Sequence, residues 1–169
     1  HRRRVLRHVA VSRRVLMALA LSGALVSVNW LVFVYAVNTD RVLSTSLGYF
    51  INPLVSVLLG SLVLGERMLG AQRVAVAMAA VGTLFLTVRI GEPPWLALAL
   101  AFSFGFYGLV RKLTEVGPMV GLFWETLIMA PVAAAWLWWL AESGQNSYGA
   151  LGVDHDLLLV GTGLVTVIP

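Results

Sequence analysis

Three series of polar residues stand out in this chain because everything around them is apolar. Thr45, Tyr49, Asn52 and Ser56 recur at i, i+4, i+7 and i+11, which is one face of a 3.6-residue helix. Ser103, Tyr107 and Arg111 recur at i, i+4 and i+8, and Ser22 and Asn29 at i and i+7. Amides, hydroxyls and phenols on an apolar helix hydrogen-bond. Such a face either lines a path for a polar molecule or ties one helix to its neighbour. Glu125 is a lone carboxylate among 26 residues. Buried in hydrocarbon, it must find a partner or give up its charge. It lies seven residues past Pro118, roughly 10 Å along a helix axis. Arg111 and Lys112 are its candidate partners in this sequence. Binding of substrate or a proton is one reading of Glu125; an ion pair locking two helices is the other.

Asn52 is followed by Pro53 in the middle of an uncharged run. Proline donates no hydrogen bond and strains the preceding turn, so the Tyr49 carbonyl loses its usual donor. An interruption at half depth is tolerated where protein or a water-lined cavity takes up the freed groups. Interruptions of this kind recur at transporter binding sites. Pro53 is therefore expected to kink its helix beside a site, or to serve packing alone.

The elements that carry these residues follow from hydropathy. The chain is 59% hydrophobic and 12% charged, where an ordinary globular domain is about 25% charged. Charge-free runs cover 15–37, 42–65, 74–88 and 93–110, and Glu125 alone interrupts 116–141. A membrane crossing takes roughly 20 mostly apolar residues. The sequence thus predicts an all-α, multi-pass membrane protein with helices over 15–37, 42–65, 71–90, 93–113, 118–141 and 156–169. The last reads as a span cut short and the chain as a piece of a longer protein. The third span, with Ala75, Ala79 and Thr83 as a row of small residues, reads as a peripheral packing helix.

Ten of the twelve basic residues fall on one side of this arrangement: Arg2, Arg3, Arg4, Arg7, Arg13, Arg14, Arg67, Arg73, Arg111 and Lys112. The other side holds Arg41, Arg89 and five acids. Basic residues in short loops favour the cytoplasm, so the basic segment 1–14 is expected inside and the spans alternate from there. That placement also explains the high pI of about 10.1 without a nucleic-acid partner. Trp30, Tyr35, Trp95, Trp136, Trp138, Trp139 and Tyr148 read as an interfacial aromatic belt. Arg111 reads as snorkelling to the interface and, with Glu66, as a gate or topology anchor. Glu66 reads as a gate or topology anchor paired with Arg67, Arg73 or the opening basic segment. Asp154-His155-Asp156 reads as part of a solvated loop over 142–156.

The chain has no cysteine, which excludes thiol catalysis, disulfides and cysteine metal sites. No phosphate-cradling GxxxxGK[ST] run appears. Neither cofactor nor metal is called for, and an enzyme is not expected. Ala24-Leu25-Val26-Ser27-Val28 and Gly163-Leu164-Val165-Thr166-Val167 share a small-Leu-Val-hydroxyl-Val pattern on spans five apart. That is the arrangement of an inverted repeat of five helices.

The stretches NWLVFVYAVN (29–38), SLGYFINPLVSVLLGSLVLGER (46–67), WLALALAFSFGFYGLVRK (95–112) and GLFWETL (121–127) resemble the RarD group of EamA-type permeases, in the drug/metabolite transporter superfamily. The resemblance implies a bacterial inner-membrane permease of ten helices in two inverted halves. Residues 15–90 would be the last three helices of the first half, and 93–169 the first three of the second. It also implies a small organic substrate, with chloramphenicol resistance among the family's labels. Asn29, Tyr49, Asn52, Pro53, Glu66, Tyr107 and Glu125 occupy its motif positions. The combined reading is a secondary transporter in a lipid bilayer. Its candidate substrate-binding residues are Asn29, Tyr49, Asn52, Ser103, Tyr107 and Glu125. Proton coupling through Glu125 is one option. A channel, or a scaffold or sensor that transports nothing, is the rival.

Overall fold

The fold comes from a computed structural model that describes residues 12–90, 94–144 and 152–167. The opening arginines up to Arg7, residues 91–93 and Tyr148 lie outside the described residues. Every element described is an α-helix: α1 (Arg13–Asn38), α2 (Val42–Val63), α3 (Gly70–Ile90), α4 (Trp95–Thr114), α5 (Pro118–Glu142) and α6 (Val153–Val167). The first five are long and apolar enough to cross a membrane. Helices suit that setting because each backbone N–H and C=O is satisfied within its own segment. At 15 residues, α6 is shorter than the roughly 20 a crossing takes.

Helix ends follow local chemistry. Ser12 caps α1, its Oγ accepting from the Val15 N–H at 3.4 Å, as serine does at an N-cap. At the far end of α2, the Gly60 carbonyl accepts the N–H groups of both Leu64 and Glu66. Gly65 turns the chain there at φ 65°, a left-handed conformation that glycine adopts without steric cost. Helix α2 therefore stops at Val63, two residues before the sequence-based boundary. It also runs through Pro53 as one helix, so the expected interruption is not a break into two half-helices. Asp154 and Asp156 lie in the first turn of α6, not in a loop. Acids there face the partial positive charge of a helix start.

The chain forms two compact units, one ending at Met129 and the other beginning at Ala130. In the first unit α4 lies between α1 and α2. Leu47, Ile51, Val55 and Leu59 form one ridge of α2, packed on Ala97 and Ala101 of α4. Their four-residue spacing keeps them on one helix face. The two helices approach closely because glycine faces them from each side. A Cβ on Gly48 would lie 3.1 Å from Leu100 Cβ, and one on Gly105 would lie 2.7 Å from Val55 Cγ1. These contacts pair start with start, so α2 and α4 run parallel. Helix α1 crosses α4 the other way, and α3 touches α2 more lightly. Arg13, Arg14, Arg111 and Lys112 consequently share one end of the unit, called the basic end below.

No part of the apolar body of α3 is buried within the chain. Met78, Val81, Leu84, Phe85 and Val88 are 60–71% exposed. Its small-residue row does not form a tight seam: Ala79, Gly82 and Thr83 face Leu47 and Phe50 of α2 across a gap of about 380 Å³. Helix α3 is peripheral, as the sequence suggested. In the second unit, Trp136 and Trp139 pack at 5.1 Å between ring centres, and Trp136, Trp138 and Trp139 are all more than half exposed.

The glycine seam can be tested in the intact protein. Gly105→Leu is expected to lower stability by about 1–3 kcal/mol through overpacking. Gly108→Leu, at a position with nothing within 4 Å, should be close to neutral. Unfolding followed by circular dichroism in detergent checks both, and equal losses would refute the seam.

Candidate functional site

A cavity of about 140 Å³ lies between α1, α2 and α4. Asn29, Trp30 and Phe33 line it from α1, Thr45, Tyr49 and Asn52 from α2, and Phe104 from α4. Three of the sequence-derived candidates, Asn29, Tyr49 and Asn52, therefore meet around one space. Asn29 is held by α4: its Nδ2 donates to the Leu100 carbonyl and to Ser103 Oγ, both at 2.9 Å. Ser103 in turn donates to the Leu100 carbonyl at 3.1 Å. Ser103 thus fixes Asn29 without itself lining the cavity. Thr45 donates to the Val42 carbonyl at 2.7 Å. Asn52 Oδ1 is buried with no hydrogen-bond partner among the described residues. Tyr49 is 65% exposed and meets Phe33 edge to face at 6.5 Å.

Glu125 is not at this cavity. It lies nearer the basic end, 4% exposed, where α1, α4 and α5 meet. Its Oε1 accepts from Ser22 Oγ at 2.6 Å and stands 3.6 Å from Arg111 Nε. Small residues make the room. Gly23 faces Glu125 and Met129, and the Arg111 guanidinium lies on Gly121 so closely that any side chain there would collide. Arg111 therefore turns into the bundle, its side chain 16% exposed. This corrects the snorkelling reading, because a carboxylate and a glycine-sized space draw the guanidinium inward. Arg111 Nη1 remains buried without a hydrogen bond.

Ser22 precedes Asn29 by seven residues on α1, and Ser103 precedes Arg111 by eight on α4. Both pairs recur on one helix face. Two polar stations therefore lie roughly 10–12 Å apart along the helices. Tyr107 stands between them on α4, half-buried beside Phe104 at 5.7 Å and off the cavity wall. Ser56 is exposed and joins neither station.

At the basic end Glu66 pairs with Lys112 of α4, not with Arg67 or Arg73; most of the opening segment lies outside the described residues. The turn at Gly65 brings its carboxylate back over Gly60, where a Cβ would stand 2.8 Å from Glu66 Oε2. Both partners are about half exposed, and an exposed pair contributes about 1 kcal/mol or less.

Sequence reasoning assigned Trp30 to the interfacial belt, placed Thr45 on the polar face without counting it among the substrate-binding residues, and left Phe33 and Phe104 unassigned. Trp30 sits one residue from Asn29, and Phe33 one turn further on; that spacing was the available signal. Ser22 carried the helical spacing, but nothing in the chain order pointed from it to Glu125. Among the described residues no group of three or more His, Cys, Asp or Glu could hold a metal ion.

Over 150 residues, 89% of its length, the chain is 48% identical to Protein RarD of Streptomyces exfoliatus. It is likewise 48% identical over 151 residues to an uncharacterized transporter of Vibrio cholerae. A chloramphenicol-sensitive protein RarD of Pseudomonas aeruginosa is 34% identical over 74% of the chain. These alignments cover 48%, 50% and 42% of the respective relatives, so the chain spans about half the length of the curated relatives it matches. No family model and no solved structure matches it. Five apolar helices and such relatives together make this a multi-pass membrane protein.

Breaking a buried pair strands the surviving charge, which costs about 3–5 kcal/mol. Arg111→Met alone should lose that much in detergent unfolding of the intact protein. The double variant Arg111→Met with Glu125→Gln should lose less than Arg111→Met does. A double loss as large as the two single losses combined would show that the pair is not coupled.

Proposed function

Because this chain belongs to the RarD-type permease group, we propose that the intact protein is a secondary-active transporter in the bacterial inner membrane. It carries a small organic molecule by alternating access. The observation that supports this best is the cavity between α1, α2 and α4, which gathers amide and hydroxyl groups into an otherwise apolar body. Polar groups in hydrocarbon are costly and persist where they face a path or one another. Asn29, Tyr49 and Asn52 are the proposed substrate contacts, with Ser103 holding Asn29. Tyr107 lies on the way to the Glu125 station.

We take the whole protein to have ten helices in two inverted halves, with α1 to α3 closing the first half and α4 to α6 opening the second. The cavity would then draw on helices from the two halves, while the ion pair lies within the second half and is met by Ser22 from the first. Rocking one half against the other would move α1 and α2 relative to α4 and α5 around Asn29 and Glu125. The basic end would face the cytoplasm, with Glu66 and Lys112 as an anchor or gate there. Glu125 would take a coupling proton by releasing Arg111.

Liposomes holding the intact protein test this reading by counterflow of amphenicol-like and amino-acid-like compounds, with and without a proton gradient. One relative's name makes chloramphenicol a natural first compound. Accumulation that needs the protein supports it, and single-channel currents would replace it with a channel. Asn52→Ala should weaken apparent affinity about fivefold to tenfold. Unchanged transport and affinity, with lower stability, would leave Asn52-Pro53 a matter of architecture. Glu125→Gln should abolish the response to the proton gradient; full and still pH-dependent uptake would remove Glu125 from coupling.

A further inference from the structure

Helix α3 meets α2 along a groove that changes character with depth. In its apolar part, Ala79, Gly82 and Thr83 stand off from Leu47 and Phe50 across the gap of about 380 Å³. A Cβ on Gly82 would meet nothing within 4 Å. Nearer the basic end the same two helices flank a cleft of about 540 Å³, with Val57 and Ser61 on the α2 side and Gln72 and Val76 on the α3 side. Glu66 and Arg67, from the turn between the helices, complete its lining. Gly82 lies ten residues beyond Gln72, roughly 15 Å along the helix. One leaflet is half of a hydrocarbon core about 30 Å thick. The groove thus runs from a polar mouth to an apolar interior over the depth of one leaflet.

The mouth carries surplus positive charge. Among the described residues the ion pairs are Arg111 with Glu125 and Lys112 with Glu66. Glu66 therefore brings its own neutralising cation, whereas Arg67 on the cleft wall has no acidic partner among these residues. Arg73, next to Gln72, has none either, and both arginines are exposed. Glu115, the other acid at this end, follows α4 and does not line the cleft. Gln72 Oε1 accepts from the Leu69 N–H at 2.9 Å, so its two Nε2 hydrogens stay available as donors. A basic pocket between helices at a membrane surface suits an anionic lipid headgroup.

The apolar gap limits what can lie below such a headgroup. Helices α2 and α3 touch along the groove. A helix with its side chains is about 10–12 Å across, so no further helix fits between them. An acyl chain is a single file of methylene groups and can follow the gap. From this we infer that the α2–α3 groove holds a phospholipid of net negative charge. Its headgroup lies against Arg67 and Gln72, and one acyl chain runs along Ala79 and Gly82. The site is separate from the cavity between α1, α2 and α4 and does not depend on the transporter reading.

Native mass spectrometry of the intact protein in neutral detergent can compare phosphatidylglycerol, phosphatidylcholine with identical chains, and glycerol phosphate. Phosphatidylglycerol should bind at least about tenfold more tightly than phosphatidylcholine, and glycerol phosphate should not bind measurably. Arg67→Gln, an exposed substitution, should cut that preference about fivefold, the worth of one basic residue at a membrane surface. Arg89→Gln, at the opposite end of α3, should leave it unchanged. Gly82→Leu, whose side chain has room, should fill the chain's place and weaken both lipids alike. Equal affinity for the two lipids overturns the inference. So does a preference that Arg67→Gln leaves intact or that Arg89→Gln lowers as much, or lipid binding that Gly82→Leu does not change. Glycerol phosphate binding as tightly as the lipid would make this a headgroup site without a chain. Lipids that do not bind at all would mean that another part of the intact protein covers the groove. Either result refutes the lipid site.

Discussion

Much of the first unit depends on how closely α2 and α4 approach. Gly48 and Gly105 remove the side chains that would hold these helices apart, and Val55 and Leu100 occupy the space. In hydrocarbon there is little hydrophobic gain from pressing one apolar helix on another, so close van der Waals packing between small residues must supply the association. Once α4 is seated against α2 through Ala97, Ala101 and Gly105, its opposite face is set. Ser103, Tyr107 and Arg111 lie about half a turn away from Gly105 on the helical wheel. They therefore face away from the seam, where α1 supplies Asn29 to Ser103 and α5 supplies Glu125 to Arg111.

The two polar stations solve the burial of polar groups differently. At the cavity every bond is neutral, and Asn29 serves as a crosspiece between α1 and α4. Its carbonyl partner on Leu100 also accepts from Ser103, so the crosspiece shares an acceptor already in use within α4. At the basic end the solution is ionic. Glu125 is nearly inaccessible, and the short bond from Ser22 has the length typical of a hydroxyl donating to a carboxylate. Desolvating both ions works against the pair, so its attraction serves to specify position more than to add stability. Ser22, Arg111 and Gly121 bring α1, α4 and α5 together around one carboxylate.

Helix α3 shows the opposite regime. It has length and hydropathy enough to span, yet it buries nothing against the chain and leaves a gap facing α2. An exposed apolar helix in water would be a liability; in a bilayer, where lipid tails are as apolar as leucine, exposure carries no such cost. The exposure of Met78, Val81 and Leu84 is therefore part of the same argument as the burial of Glu125. In a membrane protein the apolar residues can face outward, and the polar ones are gathered inside.

The number, length and type of the helices were legible in the sequence, because hydropathy over 20 residues is a property of the chain alone and needs no partner. The faces were legible too: the 3.6-residue period placed Ser22 with Asn29, and Ser103 with Tyr107 and Arg111, before any contact was known. Periodicity cannot say which face meets which, since it fixes rotation about one axis and nothing about the next helix. For that reason Glu125 had two possible partners, Glu66 was matched to its sequence neighbours instead of Lys112, and Trp30 was placed in the interfacial belt. Tertiary structure decided those pairings through space. The room over Gly121 drew Arg111 inward, the turn at Gly65 returned Glu66 toward α4, and the crossing of α1 over α4 placed the ring of Trp30 on a cavity wall beside Asn52.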